Sequence, residues 1–239
     1  SRNFLLGERM RECVDNVGLA FGRIRVIANW SDGEEIRPIS RSENPLRRDW
    51  GLGERFVVGY SGNFGRSHEF GTVLDAAARL AGDEYVAFLF IGGGARREGV
   101  EREVAQRSLG NCVFRPYQPR AALTRSLGAA DVHLVTLKPE LEGLIVPSKI
   151  YGVLAAGRPV LFVGDPHGEL GELVESHRIG FAVDPGDAAA LEKHIRWLAA
   201  HGGEWQAMGI RARELFEARF DRKIALSGWS ALLEDALRA

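Results

Sequence analysis

Cysteine is nearly absent from this 239-residue chain: Cys13 and Cys112 stand alone and far apart. That excludes a disulfide framework and a cysteine-rich zinc site, and it fits a reducing cytoplasm. The six histidines show no tight metal-ligand spacing, and no Asp-x-Asp pair offers two carboxylates to a divalent cation. Charge imbalance is missing too: the formal net charge is −1, so the overall balance gives no mark of a nucleic-acid or bulk anionic-membrane binder. No apolar run reaches the ~18 residues of a membrane span. The opening "SRNFLLGERMREC" lacks the apolar core and small-residue cleavage site of a signal peptide. The chain carries no P-loop, no G-x-S-x-G elbow and no complete G-x-G-x-x-G fingerprint. With 45% hydrophobic and 26% charged residues, what remains is an ordinary soluble composition, long enough for one large domain or two small ones.

From residue 55 onward, short apolar runs alternate with amphipathic segments. The runs "RFVVGYS" (55–61), "YVAFLFIG" (85–92), "CVFRPY" (112–117), "DVHLVTL" (131–137), "PVLFVG" (159–164) and "GFAVD" (180–184) are nearly continuous in apolar character. Strands buried on both faces read this way. Helical spacing over 70–81, 96–107, 120–128, 148–156 and 168–176 completes the alternation expected of a doubly wound, mostly parallel α/β sheet of Rossmann type. Three helices are expected after it: 187–201, with Asp187 as N-cap, then 204–220 and 221–239. Residues 1–50 differ. They read as a helix ("NFLLGERMRECVDNVGL"), a strand ("RIRVIANW") and a polar stretch with turn signals at Asp32-Gly33 and Asn44-Pro45. The chain therefore divides into a lead-in (1–50), a Rossmann-like domain (51–220) and a terminal helix (221–239).

In such sheets ligands bind beyond the carboxyl ends of the strands, and three loops there carry suggestive chemistry. "SGNFGRSH" (61–68) has Gly62 and Gly65 for close backbone approach, with Arg66 and His68 beside them. It reads as a phosphate loop or as a plain glycine turn with a surface arginine. "IGGGARR" (91–97) begins a G-x-G at Gly92 but places Arg97 where the fingerprint needs glycine. It is a ligand loop or a flexible turn. "LKPELEGLIVPSK" (137–149) ends on Pro147, Ser148 and Lys149 at a helix start. Ser148 is an N-cap candidate, and the helix dipole with Lys149 suits a diphosphate. The alternative is a simple helix start with a solvated lysine. Glu140, Glu142, Glu169 and Glu172 are the acid–base candidates, although carboxylates in such loops mostly cap helices or face water.

Four stretches together carry a family resemblance: "RVIANWSD" (25–32), "VVGYSGNFGR" (57–66), "VPSKIYGVLAAGRPVLF" (146–162) and "GFAVDPGDAAALEKHIRWL" (180–198). They resemble retaining glycosyltransferases of GT-B fold, family 4, in the bacterial polysaccharide branch that includes colanic-acid, O-antigen and L-fucosamine transferases. The resemblance runs from about residue 20 to the end. It implies that this is the C-terminal, donor-binding half of a two-domain enzyme. The N-terminal acceptor domain would be absent apart from its last helix and strand, and 222–238 would be a helix that crosses back to it. It implies cytoplasmic location, with peripheral association at the inner face of the plasma membrane.

Carried over residue by residue, the resemblance assigns the donor diphosphate to Gly62, Asn63, Phe64, Gly65 and His68. It places Gly143, Leu144, Ile145 and Val146 against the donor sugar and phosphates, and Pro147 and Ser148 at the diphosphate. The base falls to Gly92, Tyr117, Gln118 and Pro119. Arg66, Lys149 and Glu142 are expected to act in the reaction. Relatives often hold the ribose with a glutamate where this chain has Gly152. The expected donor is a nucleotide-diphosphate sugar, UDP-linked, and the acceptor a glycan or polyprenyl-diphosphate-linked glycan. No metal or other cofactor is expected, since protein cations can stabilise the departing diphosphate. Two other readings stay open: a sugar-nucleotide epimerase of the same architecture, and a non-catalytic nucleotide-sugar-binding domain.

Overall fold

The computed structural model describes residues 3–16 and 24–238. A small two-stranded parallel sheet comes first, from β1 (Asn3–Leu5) and β2 (Ile24–Val26), with α1 (Glu8–Asn16) between them in sequence. The expected first helix thus begins five residues later than its sequence pattern, after a strand that the pattern does not announce. Its expected last residues, 17–19, lie outside the described residues. A short helix, α2 (Pro45–Asp49), occupies part of the polar stretch read as turns. Asn44 caps it, its side chain accepting from the Leu46 amide, and Pro45 opens it.

The main domain then alternates strands and helices: β3 (Phe56–Asn63), α3 (Gly71–Arg79), β4 (Val86–Gly93), α4 (Arg97–Gln106), β5 (Cys112–Arg115), α5 (Leu123–Gly128), β6 (Val132–Thr136), α6 (Lys149–Ala155), β7 (Val160–Val163), α7 (Glu169–Ser176) and β8 (Gly180–Val183). α8 (Ala188–Ala200), α9 (Gly202–Arg219) and α10 (Arg222–Leu237) follow. Every strand pair in the six-stranded sheet is parallel, in the order β5-β4-β3-β6-β7-β8. The doubly wound α/β sheet expected from the sequence is therefore present.

The core lies on both faces of the sheet. Phe56, Val58 and Tyr60 alternate along β3 into one layer with Val73, Leu74, Leu191 and Ile195. Val135 and Phe162 point into the other, against Ile150, Leu154 and Phe216. Burial on both faces explains why these strands read as unbroken apolar runs rather than alternating ones. β3 and β6 are neighbours, yet the chain winds outward from β3 to β5 before returning to β6. That reversal leaves a crevice beyond their carboxyl ends, the switch point where doubly wound sheets take ligands.

Candidate functional site: a cation-lined cleft at the switch point

A cavity of about 470 Å³ opens at this crevice. Ser61, Gly62 and Asn63 at the end of β3 form one wall, with Ser67 and His68 from the loop that follows. Ile145 to Lys149 form the opposite wall, and Gly152 on α6 is at its base. Tyr117 and Gln118 close the side beyond β5. Among the described residues no aspartate or glutamate lines the cavity, and Lys149 is the one lysine or arginine that does.

Lys149 is not solvated; it is held. Its Nζ donates to the Tyr60 hydroxyl at 2.5 Å and lies 3.1 Å from His68 Nε2. It also sits 3.9 Å from the centroid of the Tyr60 ring, within cation–π range. His68 Nδ1 is 2.7 Å from the Thr136 carbonyl. A carbonyl can only accept, so the ring proton is on Nδ1, and Nε2 is left to accept from Lys149. Tyr60 in turn donates to the Asn63 carbonyl at 2.7 Å. One chain of hydrogen bonds thus runs from β6 through His68, Lys149 and Tyr60 to the glycine loop.

The electrostatics follow from burial. His68 is 8% exposed. Burial, reinforced by the Lys149 charge, pushes its pKa down to about 4 against the opposing pull of the Thr136 carbonyl. The imidazole is therefore neutral at physiological pH. Burial also pulls Lys149 well below the ordinary lysine value and raises Tyr60 above the ordinary tyrosine value. An ammonium in this setting has hydroxyl and imidazole partners but no carboxylate, so an entering anion would meet unneutralised charge and restore its proton affinity.

The glycine loop is shaped by its neighbour. β3 and β4 stay in register to their last residues, with Gly62 opposite Gly92 and Asn63 opposite Gly93. Gly62 and Gly92 have φ of +137° and +133°, conformations that L side chains rarely adopt. A Cβ on Gly92 would overlap the Gly62 carbonyl. Gly92, expected at the base, therefore serves close strand approach; it does not line the cavity, and its carbonyl accepts from Arg97 Nη1. Beyond the strand, the amides of Gly65, Arg66 and Ser67 have no acceptor among the described residues.

Several other expected residues lie away from the cavity lining. Phe64 is fully buried, stacked on Phe70 with centroids 5.2 Å apart. Its amide bonds to the Gly93 carbonyl. Arg66 is exposed, and neither it nor Gly65 lines the cavity. Glu142 caps α7: its Oε1 accepts from the Glu169 amide at 2.8 Å. Glu169 does the same for α1, accepting from the Glu8 and Arg9 amides at 3.3 Å. These two carboxylates are helix caps. Gly143, at φ +75°, lies under Cys13 of α1, while Leu144 is 60% exposed. Pro119 precedes the 3-10 turn Arg120–Ala122, outside the lining. Ser148 does line the cavity, but its side chain makes no capping bond and its backbone is already helical.

The sequence reading missed Tyr60, which looks like one more apolar strand residue in "FVVGY". It also missed Ser31, Ile36, Ile91, Leu123, Ser126 and Leu127, which reach the cavity from distant parts of the chain. No local pattern marks them. Among the described residues no group of histidine, cysteine and carboxylate side chains is arranged to hold a metal ion.

Against known proteins, a family profile described as "Glycosyl transferases group 1" matches residues 42–215. The chain belongs to the group 1 glycosyltransferase family. Within that family it is similar to the probable glycosyltransferase WbjE of Pseudomonas aeruginosa, 30% identical over 213 residues, covering 88% of this chain and 52% of WbjE. It is also similar to WcaI of Escherichia coli (strain K12), assigned by name to colanic acid biosynthesis as a glycosyl transferase. That match is 31% identical over 182 residues, 75% of this chain and 44% of WcaI. The chain thus spans about half the length of the curated relatives it matches. The fold agrees with that of Anabaena Alr3699/HepE, solved in complex with UDP and glucose. The TM-score is 0.84 at 19% identity, over 98% of this chain and 63% of that one. Among the described residues no helix is long and apolar enough to cross a membrane.

Proposed function

We propose that the switch-point cleft binds the diphosphate of a nucleotide-diphosphate sugar, and that the whole protein transfers that sugar to a glycan or lipid-linked acceptor with retention. The observation that carries this reading is Lys149: a lysine held by Tyr60 and His68 on the wall of a carboxylate-free cavity. Departure of the nucleoside diphosphate concentrates negative charge on its oxygens, and a preorganised cation in a shielded site stabilises that charge more than water does. Ser67, which lines the cavity and whose amide has no acceptor among the described residues, offers one more donor. The protein thereby supplies the charge that a metal supplies elsewhere.

Tyr117 and Gln118 on the outer wall suit a base, stacked on an exposed ring, and Ile145 and Val146 suit the donor sugar. Gly152 offers the ribose no carboxylate, although the cavity lining carries serine hydroxyls, Ser126 and Ser31 among them. A UDP-linked donor agrees with the ligand in the HepE complex. The likeness to WcaI, named for colanic acid biosynthesis, supports a place in bacterial surface-polysaccharide synthesis; the family 4 branch rests on the sequence resemblance. The acceptor would meet this half across the cleft from a partner domain in the rest of the protein. Calorimetry with UDP, GDP and uridine tests the reading: a diphosphate must bind more tightly than the nucleoside.

A further inference from the structure

Tyr60 is fully buried among aromatic rings, its centroid 4.9 Å from Phe64 and 5.0 Å from Phe70. Phenylalanine would fill that space equally well, so packing does not account for the hydroxyl. The hydroxyl has two partners, both belonging to the candidate site: it accepts from Lys149 and donates to the Asn63 carbonyl. We propose that Tyr60 is a positioning residue of the diphosphate site, its hydroxyl locking Lys149 Nζ to the glycine loop so that cation and loop present themselves to the ligand as one unit. This inference rests on the diphosphate reading above.

Lysine is a compact charge on a flexible stem with three rotatable donors. Here one donor goes to Tyr60 and one to His68, which leaves the third for the cavity that Lys149 lines. The groups facing Nζ are few. β3 contributes Tyr60 and the following loop contributes neutral His68. Arg96, at the start of α4, stands one step behind, donating to the His68 carbonyl at 2.9 Å. Burial without a carboxylate already weakens the hold of Lys149 on its proton. The hydroxyl is thus one of two acceptors favouring the charged form among the described residues, and it ties Nζ to the Asn63 carbonyl at the head of the loop whose far end carries His68.

The test is Tyr60→Phe in the 239-residue chain, with two readouts. By calorimetry, UDP affinity falls about tenfold while uridine affinity is unchanged, the loss expected for one hydrogen bond to a charged group. By NMR with isotope-labelled lysine, the four lysines at 138, 149, 193 and 223 give a simple spectrum, and Lys149→Met assigns the signal of interest. Removing an acceptor disfavours the ammonium, so the Lys149 titration midpoint moves to lower pH in Tyr60→Phe. A UDP affinity within about twofold of the parent and an unmoved midpoint overturn the inference and leave Tyr60 a packing residue. If the unmodified chain binds UDP no better than uridine, the diphosphate reading itself fails and takes this inference with it.

Discussion

Acid should destabilise this fold through a histidine outside the ligand cleft. His133 lies on β6 at 1% exposure, its Nε2 donating to the Leu127 carbonyl at 2.8 Å. Its Nδ1 is buried and finds no partner among the described residues. Burial above all, with Arg158 nearby, pushes its pKa down to about 4, against the pull of the Leu127 carbonyl and Asp131. In the unfolded chain the ring takes its proton near 6.5. Between those values the unfolded state binds more protons, so stability is intact above pH ~6.5, falls as the pH drops, and levels off below ~4. A difference of about 2.5 pH units corresponds to about 3 kcal/mol at the acid limit, with a slope of up to ~1.4 kcal/mol per pH unit in between. His68, depressed to about 4 as well, contributes a parallel slope. Denaturant unfolding followed by tryptophan fluorescence at several pH values from 7.5 to 4.5 measures the total. His133→Gln keeps an N–H donor but cannot titrate, so its slope should be shallower than that of the parent by about 1 kcal/mol per pH unit in this window. An unchanged slope would refute the assignment of a neutral, buried imidazole at His133.

Two further predictions concern stability. Gly152 lies inside α6 with an ordinary helical φ, and an added Cβ would come no closer than 3.6 Å to Leu127 and 3.9 Å to Ile36. Gly152→Ala should stabilise by about 0.5–1 kcal/mol, raising Tm by a few degrees; a lower Tm contradicts that geometry. Asp131 is fully buried and accepts from Arg41 at 2.5 and 2.6 Å, from Arg47 at 3.3 Å and from the Val57 amide at 2.8 Å. Asp131→Asn leaves two guanidinium groups without their counter-charge and should cost about 3–5 kcal/mol in denaturant unfolding; a loss below about 1 kcal/mol would show that the cluster is already compensated by carbonyls.

Much of the architecture is legible in the sequence because burial on both faces writes it plainly. "YVAFLFIG" can hardly be other than an inner strand, and the six strands and the helices between them fall within a few residues of their patterns. The failures have local causes. β1 has three residues and pairs outside the main sheet, so no periodicity can build up. Asn44-Pro45 reads as a turn, but the same pair is an N-cap followed by N1 proline, and α2 follows. At the site, Pro147, Ser148 and Lys149 announce a cation beside a helix start, and the structure puts all three in the cavity wall. The sequence does not show that Lys149 is gripped by Tyr60 and His68, residues 89 and 81 positions away. Nor does it separate the glycine that lines the cavity, Gly62, from the one that admits a neighbouring backbone, Gly92. The loop carboxylates illustrate the same limit. Glu142 and Glu169 look like acid–base candidates on paper and serve as caps in space.

Lys149 is the residue on which the diphosphate reading of the cleft stands. Isothermal titration of UDP and uridine into the unmodified chain and into Lys149→Ala tests it most directly. Removing a charged donor from a shielded site costs about 1.5–3 kcal/mol, or roughly 10- to 100-fold in affinity. UDP binding should weaken by that factor in Lys149→Ala, with uridine binding unchanged and both proteins equally folded. Equal affinities of the unmodified chain for UDP and uridine, or a Lys149→Ala variant that binds UDP as well as its parent, would contradict the account.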